Sequence, residues 1–164
     1  MTRRRFLEMG LVMATAGAAA RLAGAEDKMS KAATKTFEVA MSETAWRERL
    51  TPGQFSVLRK HGTEPPGSSP LDKEYGRGTY QCAGCELPLF SSDTKFDSRT
   101  GWPSFWAPLP DAVGTTTDRS FFTTRTEVHC RRCGGHLGHV FDDGPKPTGL
   151  RYCMNGVALT FRRA

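Results

Sequence analysis

The pattern of apolar and polar positions divides the chain into a short helical part and a longer part made of short strands. Ser42 can cap a first helix that residues 45–50 continue. Thr51 and Pro52 have the types expected at the N-cap and first position of a second helix, which Gly62 ends. Two short helices are therefore predicted before the remainder of the domain.

From residue 78 onward the pattern changes to short runs of β-branched and aromatic residues, separated by Gly, Asp and Pro turns. The predicted strands cover residues 79–81, 87–90, 121–125, 127–129, 139–141 and 151–161, the last of them ending in the alternating run 157–161. The abundance of glycine (17) and proline (10) also favours a loop-rich β fold. The chain is thus predicted to be mainly β, with one small antiparallel β domain and short N-terminal helices.

Five cysteines divide into two CxxC pairs and one single residue. Cys82 and Cys85, with Cys130 and Cys133, have the spacing of a four-thiolate zinc site, which is closed to substrate. Disulfides within each pair, or a redox-active dithiol, are the alternatives, but such disulfides would close very small loops and stabilise little. Cys153 then has neither a metal nor an obvious disulfide partner. It is the candidate for chemistry, and a buried structural thiol is its alternative.

The first 25 residues have the form of an export signal. Residues 2–7 match the twin-arginine pattern, and the apolar run 9–20 is too short and too weakly hydrophobic to span a membrane. Residues 23–25 form an A-x-A cleavage site, and no cysteine follows the apolar run, so no stable membrane anchor is expected. A disordered basic N-terminus is the alternative. The predicted organisation is a signal peptide over 1–25, a linker over 26–41 and one domain over 42–164, located in the periplasm.

Charge argues against a nucleic-acid partner. The formal net charge is +6, but the leader holds four arginines and one glutamate, which leaves +3 for the remainder. Four zinc-bound thiolates would remove roughly two more charges. The mature domain would be near neutral, so its basic pI is weak support for binding nucleic acid.

Three further motifs accompany these cysteines: Gly-Trp-Pro-Ser-Phe at 101–105, His-Leu-Gly-His-Val-Phe-Asp-Asp-Gly at 136–144 and Arg-Tyr-Cys-Met-Asn at 151–155. With the CxxC pairs they resemble the methionine-R-sulfoxide reductases, the B-type enzymes. Shorter matches occur at 61–64, 80–85, 89–92, 95–98 and 125–128, so the resemblance spans about residues 42–161. It implies a zinc-ribbon-like, Mss4-like fold and reduction of the R epimer of methionine sulfoxide, mainly in oxidised proteins or peptides.

The resemblance also implies roles, which the needs of the reaction support. Cys153 is expected to be the nucleophile, because a thiolate attacks the sulfoxide sulfur, and Arg151 would supply nearby positive charge. On a strand Arg151, Cys153 and Asn155 share one face, and Asn155 is expected to hydrogen-bond near the sulfoxide or near Cys153. His139 is expected to protonate the leaving oxygen, with His136 orienting the substrate or sharing the proton. Either histidine is alternatively a satisfied core residue, and His136 could instead support the zinc-binding turn only three residues before it.

Four other positions complete the expectations. Trp102 would form the pocket wall for the substrate methyl group, with a plain core tryptophan as the alternative. Asp143 would orient His139. Thr100 stands where many B-type enzymes carry a resolving cysteine, so an external reductant, thioredoxin-like or a small thiol, is expected to regenerate Cys153. Gly156 stands where a serine is frequent, and it would widen the pocket slightly.

Two other classes of protein remain open from the sequence. A non-catalytic zinc-ribbon module that binds a protein or nucleic acid would share the fold but would not need Cys153, His139 and Trp102. A thiol redox sensor would oxidise Cys153 with peroxide but would not turn over a sulfoxide. A reductase for the S epimer would need an unrelated framework, which nothing in the sequence resembles.

Overall fold

A computed structural model describes residues 36–120 and 123–164, so the predicted export signal lies outside the described residues. Helix α1 (Glu43–Arg49) begins after Ser42, whose hydroxyl accepts a hydrogen bond from the backbone N–H of Ala45. Helix α2 (Pro52–Lys60) begins after Thr51, which forms a capping box with Gln54. Both predicted N-caps are confirmed.

Helix α2 ends one residue earlier than predicted. His61, rather than Gly62, takes the left-handed conformation, with φ 56° and ψ 33°. Gly62 then bonds through its N–H to the carbonyl of Ser56 at 2.9 Å. A left-handed residue that is not glycine costs on the order of 1 kcal/mol, and such residues often lie at functional sites.

Nine strands within the described residues form two antiparallel sheets, which confirms the predicted fold class. The smaller sheet has the order β2-β1-β9, and the larger has the order β3-β4-β8-β7-β6-β5. The strands are β1 (Gly78–Cys82), β2 (Pro88–Ser91), β3 (Lys95–Phe96), β4 (Ser104–Phe105), β5 (Val113–Asp118), β6 (Arg125–Cys130), β7 (His136–Phe141), β8 (Arg151–Met154) and β9 (Leu159–Arg163).

Several features of the sheets differ from the prediction, among them the two-residue strands β3 and β4, which were not predicted. Strand β5 was not predicted, because its run Val-Gly-Thr-Thr-Thr-Asp lacks apolar alternation and lies at a sheet edge. The predicted strand 151–161 is two strands in different sheets, β8 and β9, with the short 3-10 turn Gly156–Ala158 between them. The predicted strand 121–125 begins outside the described residues, and β6 starts at its last position.

Aromatic side chains join the two sheets. The ring of Phe90, on β2, stacks on that of Phe105, on β4, with centroids 4.3 Å apart. The ring of Tyr80, on β1, meets Phe105 edge-on at 4.9 Å. All three residues are fully buried, so the core of the domain lies between the sheets.

The described end of the predicted linker packs on the domain. The N–H of Val39 donates to the carbonyl of Arg132 at 3.0 Å, and the ring of Phe37 meets that of His129 edge-on. Met41 and Val39 also contact the hydrophobic core. Among the helices of residues 36–120 and 123–164, none has the length and apolarity needed to cross a membrane.

Candidate active site and metal centre

Strand β8 places Cys153 between two neighbouring strands of the larger sheet. Cys153 pairs directly with Ser104 of β4 on one side and with His139 of β7 on the other. Directly paired residues of antiparallel strands point to the same face of the sheet. The thiol, the hydroxyl and the imidazole therefore form one row across three strands.

A cavity of about 200 Å³ opens over this row. It brings together four of the residues predicted from the sequence: Cys153, His139, Trp102 and Asn155. Three other predicted residues, Arg151, Asp143 and His136, are not among those that line it. The complete lining is Thr63, Trp102, Arg125, Gly138, His139, Phe141, Cys153 and Asn155.

The environment of Cys153 both disfavours and supports its thiolate. Burial raises the pKa of the thiol, against opposing contributions from Thr100, Arg151 and Ser104. The hydroxyl of Thr100 lies 3.8 Å from the sulfur, and Ser98 links Thr100 at 2.8 Å to Ser104 at 2.6 Å. Because burial is the largest effect, the thiol is mostly protonated in the free protein at neutral pH.

This raised pKa predicts a slow alkylation of Cys153 that accelerates with pH. The thiolate fraction grows about tenfold per pH unit below the pKa, which lies above the ordinary value near 8.5–9. We expect the iodoacetamide rate at Cys153, followed by mass spectrometry, to keep rising through pH 9. Arg151→Gln should slow alkylation further, because it removes a charge that lowers this pKa. A wild-type rate that is already constant below pH 7 would contradict the prediction.

The expectation that Asp143 orients His139 is wrong. The carboxylate of Asp143 forms a two-point ion pair with the guanidinium of Arg151, with both N–O distances 2.8 Å. The hydrogen bonds from Arg151 lower the pKa of Asp143, and the guanidinium also lies over the ring of Phe141 at 4.4 Å. The positive charge of Arg151 therefore acts on both the carboxylate of Asp143 and the thiol of Cys153.

A different carboxylate holds His139. Asp118, the last residue of β5, lies with its Oδ2 2.8 Å from His139 Nε2 and also 2.8 Å from a guanidinium nitrogen of Arg125. Hydrogen bonds from Ser120, and then from His139, lower the pKa of Asp118, so it is ionised at neutral pH. Sequence reasoning missed Asp118 because β5 was not predicted. Only the register of β5, β6 and β7 brings it to His139.

His136 lies behind His139 and is only 2 % exposed. Its Nδ1 is 2.8 Å from Oε1 of Glu127, and its ring meets that of His139 with centroids 5.3 Å apart. Burial lowers the pKa of His136. His136 is thus placed to support His139 rather than to contact a substrate.

Asn155 uses its amide to join segments of backbone. Its Oδ1 accepts a hydrogen bond from the N–H of Glu64 at 3.0 Å, and its Nδ2 donates to the carbonyl of Leu137 at 3.0 Å. The residue is 4 % exposed, although it lines the cavity. In the described structure its side chain positions the cavity wall and has no hydrogen bond to Cys153.

Glu64 is a second residue that sequence reasoning did not single out. Its carbonyl accepts a hydrogen bond from the indole Nε1 of Trp102 at 3.1 Å. Its carboxylate accepts from the backbone N–H groups of Gly156 and Val157. Glu64 therefore fixes Trp102 relative to the turn that follows the strand carrying Cys153. The available signal was its place in the matched segment 61–64.

Gly156 does not widen the cavity, because it is not among the lining residues. A Cβ atom added there would lie 2.2 Å from the hydroxyl of Ser69. The missing side chain thus leaves room for Ser69 to pack closely on this turn.

The two CxxC pairs lie at the ends of strands from different sheets. Each forms a tight turn that closes on a left-handed residue, Glu86 in the first and Gly134 in the second. The facing sulfurs are 3.7 Å and 3.5 Å apart, close to the edge of about 3.8 Å expected for a tetrahedron with metal–sulfur bonds of about 2.3 Å. The four residues, buried and within metal-binding distance of one another, are Cys82, Cys85, Cys130 and Cys133. This donor set fits one metal ion that joins the two sheets.

Comparison with known proteins decides the family. A family profile described as SelR domain matches residues 50–163, most of the chain. The chain belongs to the SelR family. Peptide methionine sulfoxide reductase MsrB of Agrobacterium fabrum is 53 % identical over 125 residues, covering 76 % of this chain and 93 % of the relative. The enzyme of the same name from Leptospira interrogans is 51 % identical, covering 77 % and 98 %, and that from Pseudomonas putida is 55 % identical, covering 71 % and 89 %.

The resemblance stated from the motifs is therefore confirmed for this SelR-family protein. The matched region contains all five cysteines, the cavity and the residues that hold it. No observation in the described residues favours a non-catalytic binding module or a redox sensor. The protein is an oxidoreductase of the methionine sulfoxide reductase type.

Proposed function

We propose that the protein reduces the R epimer of methionine sulfoxide, mainly in oxidised proteins and peptides, to methionine through Cys153. The observation that carries this proposal is the direct pairing of Cys153 with His139 at the base of a cavity that Trp102 also lines. A thiol beside an acid–base group, facing an aromatic surface suited to a sulfur-bound methyl group, is what sulfoxide reduction requires.

Proton transfer from Cys153 begins the proposed reaction. Since burial raises the pKa of the thiol, a base must take its proton when the substrate binds. His139 is the neighbouring group, and Asp118 accepts a hydrogen bond from its Nε2 and holds the ring. The resulting thiolate attacks the sulfoxide sulfur and forms a sulfur–sulfur bond.

The same proton completes the step. His139 returns it to the sulfoxide oxygen, which moves to the sulfur of Cys153 as the sulfur–oxygen bond of the substrate and the new sulfur–sulfur bond both break. Cys153 becomes a sulfenic acid, oxidised by two electrons, and the substrate becomes a thioether, reduced by two. Arg125 lines the cavity and carries a positive charge that favours the developing negative charge on oxygen.

An external thiol is proposed to regenerate Cys153. Thr100 stands at the position where a resolving cysteine would be. Its hydroxyl oxygen lies 3.8 Å from the sulfur of Cys153. The first thiol displaces water from the sulfenic acid and forms a mixed disulfide, and a second thiol releases Cys153. A thioredoxin-like protein or a small thiol fits this role.

A T100C variant is expected to gain an internal resolving step. The introduced sulfur would lie within reach of Cys153, so one equivalent of sulfoxide should yield a disulfide between them. Trapping of the sulfenic acid by dimedone should fall at least tenfold, measured by mass spectrometry. Thr100→Ser, which keeps the hydroxyl, is the control and should trap like the wild type. Unchanged dimedone labelling in T100C would contradict the proposed arrangement.

Zn²⁺ is the proposed ion at the four cysteines. Four thiolates in a closed, buried tetrahedral set are the donor type of structural zinc. When bound, the ion would cross-link the two sheets. It has no part in the chemical steps, because none of the four cysteines lines the cavity.

Export of the folded protein to the periplasm is also proposed, from the sequence of residues 1–25. Metal binding in the cytosol would protect the thiols from wrong disulfides during transfer to an oxidising compartment. Replacement of the leader by a general-secretory signal is expected to lower zinc content and free thiols in the periplasmic protein. Metal analysis and thiol counting test this, with the native leader as the control. Undiminished values would contradict it.

The proposed function is tested by separated epimers. The mature protein, with one zinc ion, is mixed with a peptide carrying either the R or the S sulfoxide and with dithiothreitol. Chromatography of the products should show methionine from the R epimer at a rate at least 100-fold above that from the S epimer. No reduction of either epimer by folded, zinc-loaded protein would reject the proposal.

A further inference from the structure

One carboxylate beside the active site lies between two histidines. Glu127 Oε1 is 2.8 Å from Nδ1 of His136 and 3.1 Å from Nδ1 of His61. The three side chains come from β6, the start of β7 and the end of α2. Each offers one ligand atom, and these atoms all lie within 4.8 Å of one another. None of the three residues lines the substrate cavity.

Among the described residues, the carboxylate of Glu127 has no permanently charged positive partner. Its side chain is 12 % exposed, and within residues 36–120 and 123–164 its ion-pair partners are these two histidines alone. The Nδ1 atom of His136 faces this carboxylate at 2.8 Å, and an imidazole nitrogen is a common metal ligand. A buried carboxylate needs a compensating charge, and a cation would provide it.

The backbone of His61 supports a role for its side chain. The residue takes the left-handed conformation that costs most residues on the order of 1 kcal/mol, and its imidazole reaches back over His136 with ring centroids 5.0 Å apart. Because the side chain of His61 is 64 % exposed, one side of the cluster is open to solvent. An ion can therefore enter without displacing the core.

We propose that His61, Glu127 and His136 form a second metal site, for a borderline divalent cation such as Zn²⁺, and that its occupation inhibits sulfoxide reduction. Two imidazole nitrogens, one carboxylate and an open position are a donor set that Zn²⁺ accepts. Tetrahedral donors at about 2.0 Å from zinc lie about 3.3 Å apart, near the observed contacts of 2.8 Å and 3.1 Å. The inhibition, but not the binding, rests on the proposed function.

Binding at this site should be reversible. His136 Nε2 is buried and has no hydrogen-bond partner in the part of the chain that the structure describes, whereas a metal-binding histidine is normally held by an acceptor on its second nitrogen. The open fourth position also lacks a protein donor. Both features weaken the site relative to the four-cysteine centre.

The position of the cluster explains the inhibition. Glu127 lies directly opposite His139 in the register of β6 and β7, and the ring of His136 contacts that of His139. A divalent cation held here would place two positive charges beside His139, the residue proposed to carry the proton between Cys153 and the sulfoxide oxygen. The thiol of Cys153 need not be touched.

Zinc titration of the mature protein tests the binding. Protein that already holds one Zn²⁺ is titrated with further Zn²⁺ against a chromophoric chelator. We expect one additional ion per chain, with affinity at least tenfold weaker in His61→Asn. Asparagine is chosen because it tolerates the left-handed conformation. Lys60→Asn, in the neighbouring residue, whose side chain contacts Glu43, is the matched control and should bind like the wild type.

Single-turnover reduction tests the inhibition, without a thiol reductant that would chelate zinc. One equivalent of Zn²⁺ at the second site should slow methionine formation at least tenfold in the wild type and in Lys60→Asn, but not in His61→Asn. Absence of an additional ion, or equal binding by His61→Asn, would overturn the proposed site. Equal inhibition of His61→Asn would assign the effect to another ligand, such as Cys153, and would overturn the proposed inhibition. If no variant reduces the sulfoxide even without added zinc, the proposed function fails, and the titration still decides the metal site.

Discussion

Cys153→Ser is expected to abolish sulfoxide reduction, with turnover lower by about 10³-fold or more, because the hydroxyl is a far weaker nucleophile than a thiolate. The fold should be unaffected, since serine has nearly the same shape and Cys153 is not a ligand of the four-cysteine centre. Turnover of the R-sulfoxide peptide, zinc content and melting temperature are measured together on the wild type and the variant.

Sulfenic acid trapping gives this prediction its control. After one equivalent of sulfoxide, dimedone should label the wild type at Cys153, with zinc retained and no internal disulfide. Ser104→Ala, which removes a neighbouring hydroxyl but leaves the thiol, should still be labelled. Retained turnover in Cys153→Ser would contradict the assignment. A disulfide between Cys153 and a CxxC cysteine, with loss of zinc, would contradict the single-cysteine cycle.

Local sequence signals were sufficient for the helix caps and for the two CxxC turns that supply the four clustered cysteines. The helix caps at Ser42 and Thr51 involve contacts within three residues, so the residue types at these positions identify the helix starts. The CxxC spacing likewise describes one tight turn at a time. Each of these contacts joins residues only three or four positions apart, so a single short motif contains both partners.

The partners of the active-site residues could not be obtained this way. Asp143 is closer to His139 in the chain, yet Asp118 binds it, because the registers of β5, β6 and β7 decide which side chains meet. Strand β5 carries three exposed threonines and shows no apolar alternation, so its register had no sequence signal. Contacts between segments distant in sequence are visible only in the folded chain.

The break between β8 and β9 has a similar origin. The run 151–161 alternates well enough to resemble one strand, but Asn155 bonds through its backbone and side chain to the carbonyl of Leu137. The chain then turns at Gly156, held by the carboxylate of Glu64, and enters the other sheet. A residue 92 positions away in sequence thus helps to end the strand.

Removal of the metal should have the second large effect, on stability. The four cysteines end or follow strands β1 and β6, which belong to different sheets, so the ion would hold these sheets together. Structural zinc contributes about 10–16 kcal/mol in zinc-finger peptides. This domain also has an aromatic core that survives metal loss in part, so we expect a smaller change in the free energy of unfolding, about 5 kcal/mol or more. Since domains of this size are stable by about 5–15 kcal/mol, such a change would remove at least about a third of the stability and, in a marginally stable domain, all of it.

Chelation and Cys82→Ser provide two routes to the metal-free protein. Thermal unfolding followed by circular dichroism, with zinc measured on the same samples, should show a melting temperature that falls with zinc content and recovers when zinc is restored to the chelated wild type.

Hydrogen exchange should increase first in the two CxxC turns and the adjoining ends of β1 and β6, because their backbone depends most directly on the ion. Activity should fall only in proportion to the folded fraction, because the cavity contains none of the four cysteines. If metal-free protein keeps its melting temperature but loses turnover, the ion is part of the chemistry. If it keeps both its melting temperature and full turnover, the sheets are held together by their aromatic contacts alone.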